Sequence, residues 1–187
     1  MRLFISIDIE PTPELKAIQA PFAELEGVRL VPSEQVHVTL QFLDEQPAER
    51  LSAITDAIDA AIESVRVEPF TLSLAGYGVF PDREYITVIW AAIEQGTTQL
   101  NRLNEAIEFE MSALGIEPED RAFVPHATIA RMDHAASKTT VQSLIETTTE
   151  THTQRVTAVE LLESTRTGDG PKYDRRYARR LKSATAG

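Results

Sequence analysis

Two short stretches of this chain carry the residue types of acid–base chemistry. QVHVTLQF (residues 35–42) and PHATIAR (residues 125–131) each contain His, any residue, Thr and an aliphatic residue, in that order. The two histidines, His37 and His126, lie 89 positions apart in a 187-residue chain with only four histidines. Alternate side chains of a strand share a face. Gln35, His37, Thr39 and Gln41 are therefore expected on one face, and Val36, Val38, Leu40 and Phe42 on the other. In the second stretch His126, Thr128 and Ala130 oppose Ala127 and Ile129. Two such strands side by side would point two imidazoles and two hydroxyls into one cleft.

That set suits phosphate-ester chemistry. A neutral imidazole takes a proton from an attacking oxygen, and a protonated one gives a proton to the leaving oxygen. Histidine supplies both states near neutral pH because its ordinary pKa is about 6.5. The threonine hydroxyls can donate to phosphate oxygens where charge gathers. A single His-x-Thr in a half-polar strand is ordinary structural chemistry; the weight rests on two copies that use half the histidines. A metal site of two histidines plus a carboxylate is the rival. The chain has no His-x-His or His-Glu-x-x-His word and no Asp-rich loop, and Thr is a poor metal ligand.

The elements that must position these residues follow from periodicity. Alternation predicts a strand over 2–9. Thr12 then caps a helix over 13–25 that Gly27 ends. A short VRLV strand and the first motif strand (36–42) follow, then a helix over 47–64 opened by Pro47. Strands at 69–80 and 84–93, joined by a Pro-Asp-Arg turn, read as a hairpin. A helix over 97–114 carries Leu100, Leu103, Ile107, Met111 and Leu114 and stops at Gly115. The second motif strand spans about 122–130 and a helix 138–148. Two strands near 154–163 and 172–181 close the chain around a Gly168–Gly170 turn. Helices mixed with antiparallel strands read as α+β. No linker divides the chain, so residues 1–187 are expected to form a single domain, and the repeated motif suggests a pseudo-repeat.

Bulk properties narrow the functions further. The chain has 29 acidic against 18 basic residues, a net charge of −11, which disfavours duplex DNA. Four lysines against fourteen arginines fit a protein solvated in a salty, halophilic cytoplasm. The absence of cysteine excludes disulfides and thiolate chemistry. No apolar run nears the roughly 18 residues that cross a membrane. The first ten residues read as a strand and not as a signal peptide. The expected setting is cytoplasmic.

The paired HVTL and HATI resemble the H-x-T-x motifs of the 2H phosphoesterase superfamily. More narrowly, the chain is similar to the RNA 2′,3′-cyclic phosphodiesterases also known as 2′–5′ RNA ligases. RLFISIDI, HVTLQFL, GYGVFPDREYITVIW, HATIAR, LLES and a Gly-Pro-x-Tyr ending at Tyr173 carry the resemblance in order along nearly the whole chain. It implies a bilobal α+β fold, two pseudo-symmetric sheet-and-helix lobes flanking a central cleft. It implies hydrolysis of 2′,3′-cyclic phosphate ends of RNA or nucleotides to 2′-phosphates, without metal or nucleotide cofactor, by a protein expected to be a monomer. His37 and His126 take the catalytic roles, and Thr39 and Thr128 the substrate-binding ones. The resemblance puts His37 on the leaving 3′ oxygen and His126 on water. Run backward, the same chemistry joins a cyclic end to a 5′-hydroxyl; an RNA-end-binding module without turnover is the non-enzymatic alternative.

Phe42 and Arg131 each lie five residues after their motif histidine, where the family has a base-stacking aromatic and a phosphate-contacting arginine. Strict alternation puts both on the wrong face unless a bulge intervenes. The alternatives are a core Phe42 and an Arg131 paired with a carboxylate. Tyr173 is expected either at the substrate or in packing. Arg83 and Tyr85 are expected in an exposed turn, Trp90 in the core, and His134 and His152 in solvent. Lys172, Arg175, Arg176, Arg179, Arg180 and Lys182 could guide RNA or offset neighbouring acids.

Overall fold

The computed structural model describes residues 1–183. Strand β1 (Arg2–Asp8) opens the chain, and Pro11 and Pro13 end its run. Helix α1 (Pro13–Gln19) is capped as expected, with the Thr12 hydroxyl accepting from the Leu15 N–H at 3.2 Å. It is shorter than its pattern suggested, because Pro21 cannot donate to the helix and a 3-10 turn takes over at Ala20–Phe22. Strands β2 (Val28–Leu30) and β3 (His37–Glu45) come next. Helix α2 (Leu51–Val65) follows a 3-10 turn after Pro47. The hairpin is β4 (Phe70–Pro81) and β5 (Ile86–Gln95), followed by helix α3 (Thr97–Ser112). The second motif strand, β6 (His126–Met132), begins only after Pro125. Helix α4 (Lys138–Leu144) is also shorter than expected.

The chain closes with three strands where two were expected. The predicted 154–163 strand is two strands, β7 (His152–Val156) and β8 (Ala158–Thr167), separated at Thr157, and β9 (Gly170–Arg180) completes the hairpin. β7 joins β4 at one edge of the sheet while β8 joins β1 in the other half, so a single continuous strand cannot serve both.

All pairings are antiparallel, in the order β7-β4-β5-β6-β3-β1-β8-β9, with β2 beside β6. The order has a centre. β6 and β3, the two motif strands, meet there through the pair Val38↔Ala127, one residue after each motif histidine. β5 and β1 flank them outward, then β4 and β8, then β7 and β9. The two halves are the expected lobes. Helices α2 and α3 pack on each other and against β9 and β3. Helix α1 crosses to the other half, where the Tyr77 hydroxyl on β4 donates to the Ile18 carbonyl at 2.6 Å. One apolar core, including Ile5, Ile7, Val38, Leu40, Ile58, Leu103, Ile107 and Ile129, runs beneath both halves.

His152 is not in solvent. It is fully buried, its Nδ1 2.7 Å from the Thr12 hydroxyl and its Nε2 2.7 Å from Gln154 Oε1. It ties β7 to the start of α1, a role that its polar neighbours in sequence concealed. His134 is exposed, and its Nδ1 accepts from the Ala136 N–H at 3.3 Å.

Gly78 stands opposite Trp90 in the β4–β5 pair. A Cβ there would lie 2.1 Å from the indole ring. Gly78→Ala should therefore destabilise the protein by about 1–3 kcal/mol, the usual cost of overpacking. Urea denaturation checks this; an unchanged midpoint would contradict the packing.

Candidate active site

β3 and β6 bring His37, Thr39, His126, Thr128 and Arg131 to the wall of one cleft of about 190 Å³, which Phe4, Phe42, Gln35 and Tyr173 also line. A second arm of about 510 Å³ opens from Thr39, His126, Thr128 and Arg131 between Phe42, Phe80, Phe123 and Val124. Sequence positions half a chain apart thus converge as expected.

Each imidazole is held the same way. His37 Nδ1 lies 2.8 Å from the Gln35 carbonyl and His126 Nδ1 2.7 Å from the Val124 carbonyl, both two residues upstream. A carbonyl only accepts, so each Nδ1 carries the hydrogen and donates. The neutral ring is then a base at Nε2. For His37 that atom lies 3.0 Å from the Thr39 hydroxyl, which donates to it.

Aromatic rings back both histidines. Phe4 and Tyr173 sit 4.9 and 5.6 Å from the His37 ring, and Phe80 and Trp90 sit 4.8 and 5.7 Å from the His126 ring. Burial is the largest influence on both imidazoles and pushes each below the ordinary histidine value. The carbonyl bonds oppose it in part, the Arg131 charge adds to it, and Glu119 opposes it at His126. Burial pushes the Tyr173 phenol up, against Arg131, so the hydroxyl stays protonated and can donate.

Phe42 and Arg131 face the cleft, contrary to strict alternation, and a bulge is the reason in both cases. Along β1, Ser6 pairs with Thr39 but Ile5 pairs with Gln41, so Leu40 is an extra residue. Along β5, Trp90 pairs with Thr128 but Ile89 pairs with Ala130, so Ile129 is extra. Each extra residue sits three after its histidine and reverses the faces beyond it. Phe42 becomes 47% exposed at the cleft, and Gln41, expected beside His37, turns to the core face at 5%. Ala130, expected beside His126, is fully buried, and Arg131 takes the cleft position. Among the described residues Arg131 makes no ion pair.

The other candidates divide. Arg83 bonds Glu146 at 2.7 Å, and Tyr85 is exposed away from both arms of the cleft. Trp90 is not simply core: it backs His126. Among the described residues, five of the six C-terminal basic residues are in exposed ion pairs, Arg180 being the exception. Lys172 pairs with Asp174, Arg175 with Glu160, Arg176 with Glu163, Arg179 with Asp59 and Glu63, and Lys182 with Glu63. These pairs offset neighbouring acids. The sequence reading missed Phe4 and Phe80 and two buried carboxamides. Gln19 donates through Nε2 to the Ile129 carbonyl at 3.1 Å, and Asn104 through Nδ2 to the Leu40 carbonyl at 2.8 Å. Asn104 had a signal, being a polar residue within the apolar stripe Leu100, Leu103, Ile107 and Met111.

Comparison with known proteins points one way. A family model described as the 2′-5′ RNA ligase superfamily matches residues 7–168. An RNA 2′,3′-cyclic phosphodiesterase of Methanocaldococcus jannaschii is 32% identical over 178 residues, 93% of this chain and 97% of that protein. One of Aeropyrum pernix is 30% identical over 162 residues, 86% and 89% of the two chains. Among solved structures, a Thermus thermophilus protein superposes with a TM-score of 0.77 at 26% identity, covering 97% of this chain and 98% of that one. E. coli LigT superposes at 0.76 with 24% identity over the same shares.

Histidine in water favours the Nε2–H tautomer, whereas both bonds to carbonyls here demand Nδ1–H. Imidazole ¹⁵N spectra at pH 8 should show His37 and His126 as Nδ1–H tautomers. Nε2–H signals for either would contradict the geometry.

Proposed function

The chain belongs to the 2′-5′ RNA ligase superfamily, and we infer that it is an RNA 2′,3′-cyclic phosphodiesterase that converts cyclic phosphate ends to 2′-phosphates. The observation that carries the reading is the matched pair of imidazoles, each tied through Nδ1 and each lining the same cleft. The curated relatives named above carry that activity in their names.

In this reading His126 Nε2 takes a proton from water as the water oxygen attacks phosphorus. The bond from phosphorus to the 3′ oxygen breaks, and His37, protonated at Nε2, gives that oxygen its proton. The 2′ ester bond survives, so the product is a 2′-phosphate. Thr39 turns its hydroxyl from His37 to a non-bridging oxygen and Thr128 donates to the other, where negative charge grows in the transition state. Arg131 adds a charge-assisted contact to the same oxygens. Phe42 offers a face to the terminal base, and Tyr173 steadies the His37 ring and can donate to the substrate. No step is assigned to a metal. The chain works as one bilobal unit, because each half supplies one histidine and one threonine. We extend the reading to a monomer and, on the composition, to a salty cytoplasm; no described helix is long and apolar enough to cross a membrane.

Low imidazole pKa values set the pH behaviour. The free enzyme needs one imidazole charged and one neutral, and both titrate below the ordinary value of about 6.5. The kcat/KM profile, which reports the free enzyme, should be bell-shaped with its maximum below about pH 6.5. The kcat maximum should lie higher, because a bound phosphate anion favours imidazolium. A kcat/KM maximum above pH 7.5 would contradict this.

Hydrolysis of 2′,3′-cyclic AMP should persist in EDTA and yield 2′-AMP. His37→Ala and His126→Ala should each lower kcat by about 10²–10⁴-fold, the usual worth of an acid or base, with the fold intact by circular dichroism. Near-full activity in either variant, or its loss in EDTA, would refute the mechanism. Including a 5′-hydroxyl oligonucleotide and assaying for 2′–5′ product separates hydrolysis from joining.

A further inference from the structure

We propose that Gln19 and Asn104 are positioning residues. Each uses a buried carboxamide to hold the bulge that turns one substrate-facing side chain, Arg131 or Phe42, into the cleft. The inference rests on the roles given above to those two side chains.

A bulge interrupts a ladder and leaves backbone groups in need of partners. Here both bulges form at the same step of the motif, at Leu40 and Ile129, and both lie against the core with their side chains buried. At each, a carboxamide from a helix reaches the carbonyl of the extra residue: Asn104 of α3 to Leu40 at 2.8 Å, Gln19 of α1 to Ile129 at 3.1 Å. Neither carboxamide is on the surface; Gln19 is 3% exposed and Asn104 4%.

Both donor hydrogens of each amide are used. Asn104 Nδ2 also donates to Glu108 Oε1 at 3.0 Å, and Gln19 Nε2 to the Val31 carbonyl at 2.7 Å. The Ile129 carbonyl in addition accepts from the Val31 N–H at 2.9 Å. A buried amide with both hydrogens committed fixes its acceptors firmly, because leaving one unpaired costs more than the bond gains. The two devices are also exchanged between halves. α1 follows β1 yet holds β6, and α3 follows β5 yet holds β3. Each lobe's motif strand is thereby held by a helix that the chain delivers from a strand of the other lobe.

Removing the bulge would return strict alternation. Phe42 would then point to the core and Gln41 to the cleft, or Arg131 to the core and Ala130 to the cleft. A positioning role predicts paired, selective defects, and a purely structural role predicts general ones.

The test uses the full chain with Asn104→Leu and Gln19→Met, near-isosteric changes that remove the donor, assayed with 2′,3′-cyclic AMP well below each variant's melting temperature. Asn104→Leu should raise KM about as far as Phe42→Ala does, roughly fivefold or more, the range of one base–aromatic stack. Gln19→Met should lower kcat/KM as far as Arg131→Ala does, roughly tenfold or more, as for a lost bond to a charged group. In double variants, Asn104→Leu should add nothing to Phe42→Ala, and Gln19→Met nothing to Arg131→Ala. The crossed pairs should multiply. Multiplication in the matched pairs would overturn the proposal. If Phe42→Ala and Arg131→Ala are themselves silent, the substrate roles fail, and crystal structures of the two carboxamide variants decide the positioning claim alone. Loss of the bulge, with residue 42 or 131 leaving the cleft, supports it, and an unchanged bulge overturns it.

Discussion

The site depends on a hydrogen bond that each motif histidine makes behind itself. By donating Nδ1–H to the carbonyl two residues upstream, at 2.8 Å for His37 and 2.7 Å for His126, each ring commits one nitrogen and frees the other. The bond sets the tautomer, and with it which atom can accept or deliver a proton. It also offsets part of the cost of burying a ring that carries charge in the proposed reaction. The aromatic rings around each imidazole supply the rest of the constraint, since they leave little room for the ring to turn.

That local bond would achieve little without the sheet's centre. β3 and β6 touch through Val38↔Ala127, and beyond that pair no further register is made between them. The strands meet once, next to the histidines, and then part. The cleft is the space they leave, and it is lined alternately by their outward side chains. Each half contributes an equivalent set, a His, a Thr and a residue turned by a bulge. The pseudo-repeat is incomplete in one useful respect, for the turned residue is aromatic in one copy and cationic in the other. In the proposed function a base and a phosphate need different partners, and the two copies offer one of each.

Much of this was legible in the sequence. Alternation placed His37 and Thr39 on one face and Val36 and Val38 on the other, because burial of one sheet face imposes that period. It failed beyond Leu40 and Ile129. A bulge adds no distinctive residue; it is set by which partner strand and which helix amide meet the backbone, and those are long-range facts. The same limit explains β7 and β8. Their residues keep an extended pattern through Thr157, and only the change of partner from β4 to β1 divides them. His152 among Thr and Gln looked solvated, yet it is buried between one of those neighbours, Gln154, and Thr12 from the far end of the chain.

In the proposed mechanism two imidazoles grip one phosphate through Nε2. A crystal structure with 2′-AMP bound tests it most directly. His37 Nε2 and His126 Nε2 should each lie within about 3 Å of a different oxygen around one phosphorus, with both Nδ1 atoms still on their carbonyls. A phosphate that touches only one imidazole, or that binds through Nδ1, would contradict it.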